Sequence, residues 1–485
     1  MNQSLRRLGT FIALMLIAVM ISTTSVQFFQ APSLNADGRN VRTIYREFGR
    51  HRGPIVVEGE SIVTSVAADP PYNYLRVYER GAPYASVTGY FSTAFSSSTG
   101  LERYANDALS GTANSLLLSR VQDLFTGSQP QGGSIELTLD ADVQQAAVDA
   151  LGSQTGAVVA IQPKTGAILA LHSSPSFDPN VLATHNTTDA QAAWDSLVAD
   201  PTRPLENRAT GTIQHAPGST FKVLVAATWL EIDPSRDAHS EVSTLSEFQL
   251  PQSTHIMRNP GGASCGDSDT GELIFAFENS CNTTFAQMAI EVGHDQLAAV
   301  TEKFGFGSSM NVPIPVYAST YPETTSDAEV ALTGIGQFEV RTTPVQMAMV
   351  AAAVANGGTL MTPYLIETVR DADVRVVERT TPTVFSEPIT PKTAATLTEM
   401  MTAVVESGTG TPAKVPGVTV AGKTGTAESG TDAPQHAWMI AFAPAEDPQI
   451  AVAVLLEHGG DAGSGAYGGS AAGPIVRRLI EAGLQ

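Results

Sequence analysis

Three short stretches of this sequence carry residues that could do chemistry together. The first is Ser219-Thr220-Phe221-Lys222, entered through Pro217-Gly218 and followed by an apolar run over residues 223–227. Ser and Lys three positions apart share one face of a helix. A serine hydroxyl is a weak nucleophile until a base takes its proton. Lysine can be that base when burial or a neighbouring cation lowers its pKa, whereas arginine stays protonated. A serine at a helix start also offers its backbone N–H to a developing oxyanion. Ser-x-x-Lys alone is common on surface helices. The apolar run gives it weight here, because a buried lysine without a partner is costly.

The second stretch is Ser280-Cys281-Asn282. Its hydroxyl can relay a proton and its amide can bind a substrate carbonyl, although a helix cap or an Asx turn uses the same residues. The third is Lys423-Thr424-Gly425-Thr426, placed just after an expected strand over 418–422. Glycine at a strand edge lets a substrate backbone come close to free N–H groups. A lysine and two hydroxyls beside it suit a carboxylate, while a polar β-turn is the plain alternative. Order and spacing tie the three together: Ser280 lies 61 residues after Ser219, and Lys423 lies 143 after Ser280. The chain has 27 Lys and Arg, of which six are lysines: Lys164, Lys222, Lys303, Lys392, Lys414 and Lys423. Two of the six fall in these motifs, where arginine would fail.

The elements that must position these residues can be read around them. Residues 134–139 alternate like a strand, Asp140 can cap a helix over 141–151, and Gly152 can end it. Apolar β-runs over 156–162 and 167–171 flank the four-residue loop Pro163-Lys164-Thr165-Gly166, a hairpin signal. Near the other end, 418–422, 438–442 and 450–457 read as three more strands, followed by a helix over about 471–482. Residues 217–358 are mostly helical in composition. Two strands at the start, three at the end and helices between predict one large α+β domain whose single sheet is built from both ends. Residues 31–133 show short β-like runs at 53–57 and 61–64, and 128–133 reads as a linker.

At 485 residues the chain is long enough for two or three domains. Its net charge of −21 argues against nucleic-acid binding, which needs a basic surface. Arg6-Arg7 precede an uncharged run whose apolar part, 8–29, is 22 residues long, enough to cross a bilayer as a helix. Positive charge before it places the N-terminus in the cytoplasm and the rest outside. A cleaved signal peptide is the competing reading. Outside the cytoplasm the two cysteines, Cys265 and Cys281, either form one bridge or remain two buried thiols. No metal site or cofactor motif is evident. His215 and His436 read as structural and Glu428 as solvated.

The ordered set Ser-x-x-Lys, Ser-x-Asn, Lys-Thr-Gly resembles the penicillin-binding proteins and class A β-lactamases. Further segments carry the likeness: Gly156-Ala157-Val158-Val159-Ala160 with Pro163-Lys164-Thr165-Gly166, then Ser174-Pro175-Ser176-Phe177-Asp178-Pro179-Asn180, Asn207-Arg208-Ala209 and Ala421-Gly422-Lys423-Thr424-Gly425-Thr426-Ala427. With a single anchor and this length, the sequence is similar to class B penicillin-binding proteins of the short actinobacterial type. The likeness is strong over 134–485 and weak over 31–133, where it rests on Arg52-Gly53-Pro54-Ile55 and Gly100-Leu101-Glu102 with Leu109-Ser110-Gly111. Val56-Val57-Glu58 departs from the Asp-Arg usual in the family, and Phe338 stands where many relatives carry Gly.

The resemblance implies a cytoplasmic tail (1–7), a transmembrane anchor (8–29), a small, mostly β, non-catalytic N-terminal domain (30–133) and a penicillin-binding transpeptidase domain (134–485). That domain is α+β, a five-stranded antiparallel sheet flanked by helices. Ser219 would attack the penultimate D-Ala carbonyl of a stem peptide, with Lys222 as base. Ser280 and Lys423 would pass a proton to the leaving amine, and Asn282 would orient the substrate. Thr424 and Thr426, with Gly425 between them, would hold the terminal carboxylate. The N–H groups of Ser219 and Thr426 would form the oxyanion hole. Implied partners are donor and acceptor stem peptides, β-lactams as covalent inhibitors, and a membrane glycosyltransferase of the shape–division family. A D,D-carboxypeptidase uses the same site, and a β-lactam sensor or inactive scaffold is a further alternative. A class A β-lactamase would need a Glu-x-x-x-Asn pentad, which is missing between Asn282 and Lys423.

Overall fold

The computed structural model describes residues 3–26, 49–116, 131–262, 265–266, 268–429, 434–465 and 467–485. The chain opens with a helix over Gln3–Thr24, of which Leu5–Thr24 is apolar enough to cross a membrane and is not buried among the described residues. Twenty-two residues at 1.5 Å each span ~33 Å, about a hydrocarbon core. The helix begins ahead of Arg6 and Arg7 rather than after them. Residues 27–29 of the expected span and 128–130 of the expected linker lie outside the described residues.

Two sheets organise the rest. The first has six strands in the order Val376–Arg379, Ile366–Arg370, Ser134–Leu137, Ile55–Val57, Glu60–Ala67, Tyr74–Tyr78. Ile55–Val57 lies parallel to Ser134–Leu137, with Ile55 opposite Ile135 and Val57 opposite Leu137. Three strands therefore come from before residue 80 and three from after residue 133. The strand Tyr74–Tyr78 carries Arg76 into a buried charge cluster. The Glu102 carboxylate accepts from Arg52 Nε at 3.0 Å and from Arg76 Nε at 2.6 Å, and all three residues are buried. Arg52 also lies over the Phe91 ring at 4.2 Å. A short helix, Gly100–Tyr104, carries Glu102 into place.

The second sheet is five-stranded and antiparallel, in the order Ala421–Ala427, His436–Ala443, Ile450–Leu456, Gly156–Ile161, Ile168–Ser174. Two strands from the start and three from the end meet, as the sequence predicts. The central strands read as continuous apolar runs because both faces are covered. Successive side chains alternate between two cores. Val159, Ile440 and Ala453 join the core containing the buried helices Lys222–Glu231 and Pro344–Ala355, whereas Val158, Met439 and Val454 join the one under Ala141–Leu151 and Gly468–Gly483.

One boundary is corrected. The expected strand over 418–422 begins instead at Ala421 and runs to Ala427, so the Lys-Thr-Gly-Thr motif lies inside the strand, not beyond it. Lys423 pairs with Ile440 and Gly425 with Trp438 across the ladder. The strand ends the sheet order, so among the described residues its other backbone edge has no sheet partner.

Candidate active site

Ser219 stands in a single 3₁₀ turn, Gly218–Phe221, that leads directly into the helix Lys222–Glu231. Residues 222–230 are all buried, which anchors the turn from behind. Gly218 adopts φ +54° and donates its N–H to Gly336 O at 3.0 Å. A Cβ there would stand 2.3 Å from Thr426 O, and one on Gly425 would stand 2.8 Å from Pro217 O. Glycine at both positions lets the turn that carries Ser219 and the motif strand touch backbone to backbone. Ser219 itself is half-buried.

Lys222 is fully buried. Its Nζ donates to Ser280 O and to Asn282 Oδ1, each at 2.8 Å, and lies 3.3 Å from Ser280 Oγ. A neutral amine has two N–H bonds and one lone pair, so two carbonyl acceptors plus one hydroxyl fit the neutral form. Burial, then the positive charge of Lys423, pushes the Lys222 pKa well below the usual lysine range. Lys423 is fully buried too, and burial draws it down to about 7. Its Nζ donates to Ser280 Oγ at 2.9 Å and to Thr424 O at 3.1 Å. Ser280 Oγ thus sits between both lysines and can hand a proton from one side to the other. Among the described residues no hydrogen bond joins Ser219 to Lys222; such bonds often tighten only when substrate is present.

Ser280 and Asn282 occupy the link between two helices, Leu273–Glu278 and Asn282–Val292. Ser280 has φ +58°, a left-handed residue that ends the first helix where glycine is usual. Non-glycine residues held this way concentrate at functional sites. Asn282 is the first residue of the second helix, and its Nδ2 donates to Arg258 O at 3.0 Å. Cys281, between them, is bonded to Cys265, with Cα atoms 5.9 Å apart. The bridge therefore fastens the residue that separates Ser280 from Asn282. Closing a loop of this length is worth ~3 kcal/mol in the chain-entropy model. Thiol titration of the denatured, unreduced protein is expected to find no free cysteine, and replacing both cysteines by serine is expected to lower unfolding free energy by about that amount.

Thr424 and Thr426 share the opposite face of the motif strand from Lys423 and Gly425. The Thr424 hydroxyl is 2.7 Å from that of Thr409, and Thr426 Oγ1 accepts the Gly468 N–H at 3.3 Å. Sequence reasoning missed Thr409. It also missed the partners of His215. The buried Glu457 carboxylate takes Arg208 Nε and His215 Nε2, each at 3.0 Å. The His215 ring lies 4.2 Å from that of His436, which accepts the His458 N–H at Nδ1. Burial opposes charge on Glu457, but His215 and Arg208 outweigh it and hold the carboxyl at about 2. Burial, then His215 and His458, drives His436 down to about 3 and keeps it neutral. This network ties the segment before Ser219 to the neighbouring strand His436–Ala443 and to the turn that follows Ile450–Leu456. Glu428 is exposed. Phe338 has φ +61°, two residues beyond Gly336, and nothing in the structure explains the ring there. Among the described residues no group of His, Cys, Asp or Glu is placed to hold a metal ion.

The family model for the penicillin binding protein transpeptidase domain matches residues 156–481, which contain all three motifs. The chain belongs to this penicillin-binding transpeptidase family. The model for the penicillin binding protein A dimerisation domain matches residues 52–135 of this family member. Peptidoglycan D,D-transpeptidase PbpA of Mycolicibacterium smegmatis is 42% identical over 494 residues, covering 100% of this chain and 99% of the relative. The protein of that name from Mycobacterium tuberculosis is also 42% identical with the same coverage. Among solved structures, the ceftriaxone acyl-enzyme complex of M. tuberculosis penicillin-binding protein A matches with a TM-score of 0.86 and 42% identity, covering 91% of this chain and 100% of that one. Its penicillin G acyl-enzyme complex matches with a TM-score of 0.84, covering 90% and 100%.

Proposed function

We propose that this chain is a peptidoglycan D,D-transpeptidase that works through an acyl-enzyme on Ser219, the step that β-lactams trap. The observation that carries the reading is the convergence of Lys222 and Lys423 on Ser280 Oγ, beside the turn that presents Ser219. Ser219 Oγ attacks the penultimate D-Ala carbonyl while Lys222 takes its proton. The backbone N–H groups of Ser219 and Thr426 receive the oxyanion. The C–N bond to the terminal D-Ala breaks as Ser280, backed by Lys423, delivers a proton to the leaving nitrogen. Asn282 orients the substrate amide, and Thr424 and Thr426 hold the terminal carboxylate. An amine of a second stem peptide then attacks the acyl carbon and restores Ser219.

The apolar N-terminal helix anchors the chain in the cell membrane by a single pass, with the catalytic part outside; Arg6 and Arg7 at its start favour that orientation. A membrane glycosyltransferase of the shape–division family is the partner this reading favours. Labelling with a fluorescent penicillin is expected to persist on the wild type and to be lost in Ser219→Ala. No labelling of folded wild type would sink the proposal. With an amine acceptor present, acyl transfer to that amine is expected; hydrolysis alone would move the reading to a D,D-carboxypeptidase.

A further inference from the structure

Thr409 lies outside the three motifs, in the loop after the helix Pro391–Glu406, yet its hydroxyl is 2.7 Å from that of Thr424. The loop is held in place from other sides. Thr409 N–H points to Glu278 O at 3.4 Å, and Ser407 Oγ donates to Glu278 Oε1 at 2.5 Å, two residues before Ser280. A Cβ on Gly469 would stand 1.9 Å from Thr409 O, so the helix Gly468–Gly483 begins directly against this residue. Thr409 is exposed, whereas Thr424 is 6% exposed.

Hydroxyl bookkeeping gives this contact a direction. A threonine hydroxyl donates one hydrogen and accepts others. Gly468 N–H cannot accept, so Thr426 Oγ1 must, which leaves the Thr426 proton free for a ligand. If Thr409 donates to Thr424, the Thr424 proton is free in the same way. Two hydroxyl protons on one face of the strand are then available to one acceptor group. If Thr424 donates to Thr409 instead, Thr424 offers a carboxylate only lone pairs. An anion selects the first arrangement, and the chain of hydrogen bonds ending on it strengthens each link.

We propose that Thr409 is a specificity-determining positioning residue: by donating to Thr424 it commits that hydroxyl as a donor and selects donor peptides ending in a free carboxylate. This rests on the reading that Thr424 and Thr426 hold the terminal carboxylate. Because Thr409 is exposed, removing its hydroxyl costs the fold little, since water can replace it there in the free enzyme.

The test uses the full chain in detergent and two thioester donors, identical except that one ends in a carboxylate and the other in a carboxamide. Acylation rate constants are measured for both. Thr409→Val is expected to lower the carboxylate-to-carboxamide preference by about tenfold, through loss of a hydrogen bond coupled to a charge. Thr409→Ser is expected to restore it, and Thr409→Val is expected to add nothing in a Thr424→Val background. If Thr409→Val slows both donors equally, Thr409 only packs and the inference fails. If Thr424→Val lowers the preference while Thr409→Val leaves it unchanged, the inference fails and the carboxylate reading stands. If neither variant changes the preference, the carboxylate reading itself falls, and the inference with it.

Discussion

Acylation by a β-lactam is expected to slow by about a thousandfold or more in Lys222→Met, a change that keeps the length of the side chain and removes the proposed base. A folded Lys222→Met that acylates at the wild-type rate would remove Lys222 from the base role. The pH dependence gives a second check. An ordinary lysine is protonated below 10.5, and Lys222 is held well below that by burial and then by Lys423. Its neutral form therefore exists at lower pH than for a lysine in water, and the rate should rise as pH climbs through that lowered pKa. Lys423→Met removes one of the two causes. Its rising limb should move to higher pH, whereas a Lys423 that merely packed would leave it where it is. Stopped-flow acylation across a pH series measures both.

Glu102→Gln should cost about 3–5 kcal/mol of folding free energy, although it lies far from the motifs in sequence. The buried pair Arg52 and Arg76 would lose their shared counter-charge, and the amide could not compensate two guanidiniums. Urea denaturation should show a lower midpoint, and an unchanged midpoint would mean the cluster contributes nothing net. The sign with pH follows from the shift on Glu102. Burial works to raise its pKa, but Arg76 and Arg52 together hold it below the usual 4.5. The unfolded chain thus binds the proton first as pH falls. The contribution is complete above about 4.5 and disappears as pH drops through the lower folded value, so wild type and Glu102→Gln should converge in acid.

Much of the candidate site was legible because its residue types are restrictive: two of only six lysines fall in the motifs, and both reach Ser280 Oγ. The sheet was legible because strands covered on both faces, such as His436–Ala443, are apolar throughout. The motif strand was not. Gly422, Gly425 and the polar Lys423 and Thr424 look like a turn locally, and contact with Pro217 and Thr220 explains glycine at 425. Thr409 carries no local signal, since its meaning is a hydroxyl 15 residues away. The same holds for Glu457 and His215, 242 residues apart. The parallel pairing of Ile55–Val57 with Ser134–Leu137 escaped for a related reason: a three-residue strand does not name its distant partner.

That last pairing has a consequence for how the molecule can be divided. Half of the six-stranded sheet is spelled by the early chain and half by the late chain. A fragment cut at residue 133 would keep Ser134–Leu137 and Ile366–Arg370 but leave the edge of Ser134–Leu137 bare, an open template for aggregation. The early segment alone would retain three strands and lose the neighbour that covers Ile55–Val57. Severing the two ends therefore damages both pieces, because the backbone hydrogen bonds between Ile55–Val57 and Ser134–Leu137 hold them as one sheet.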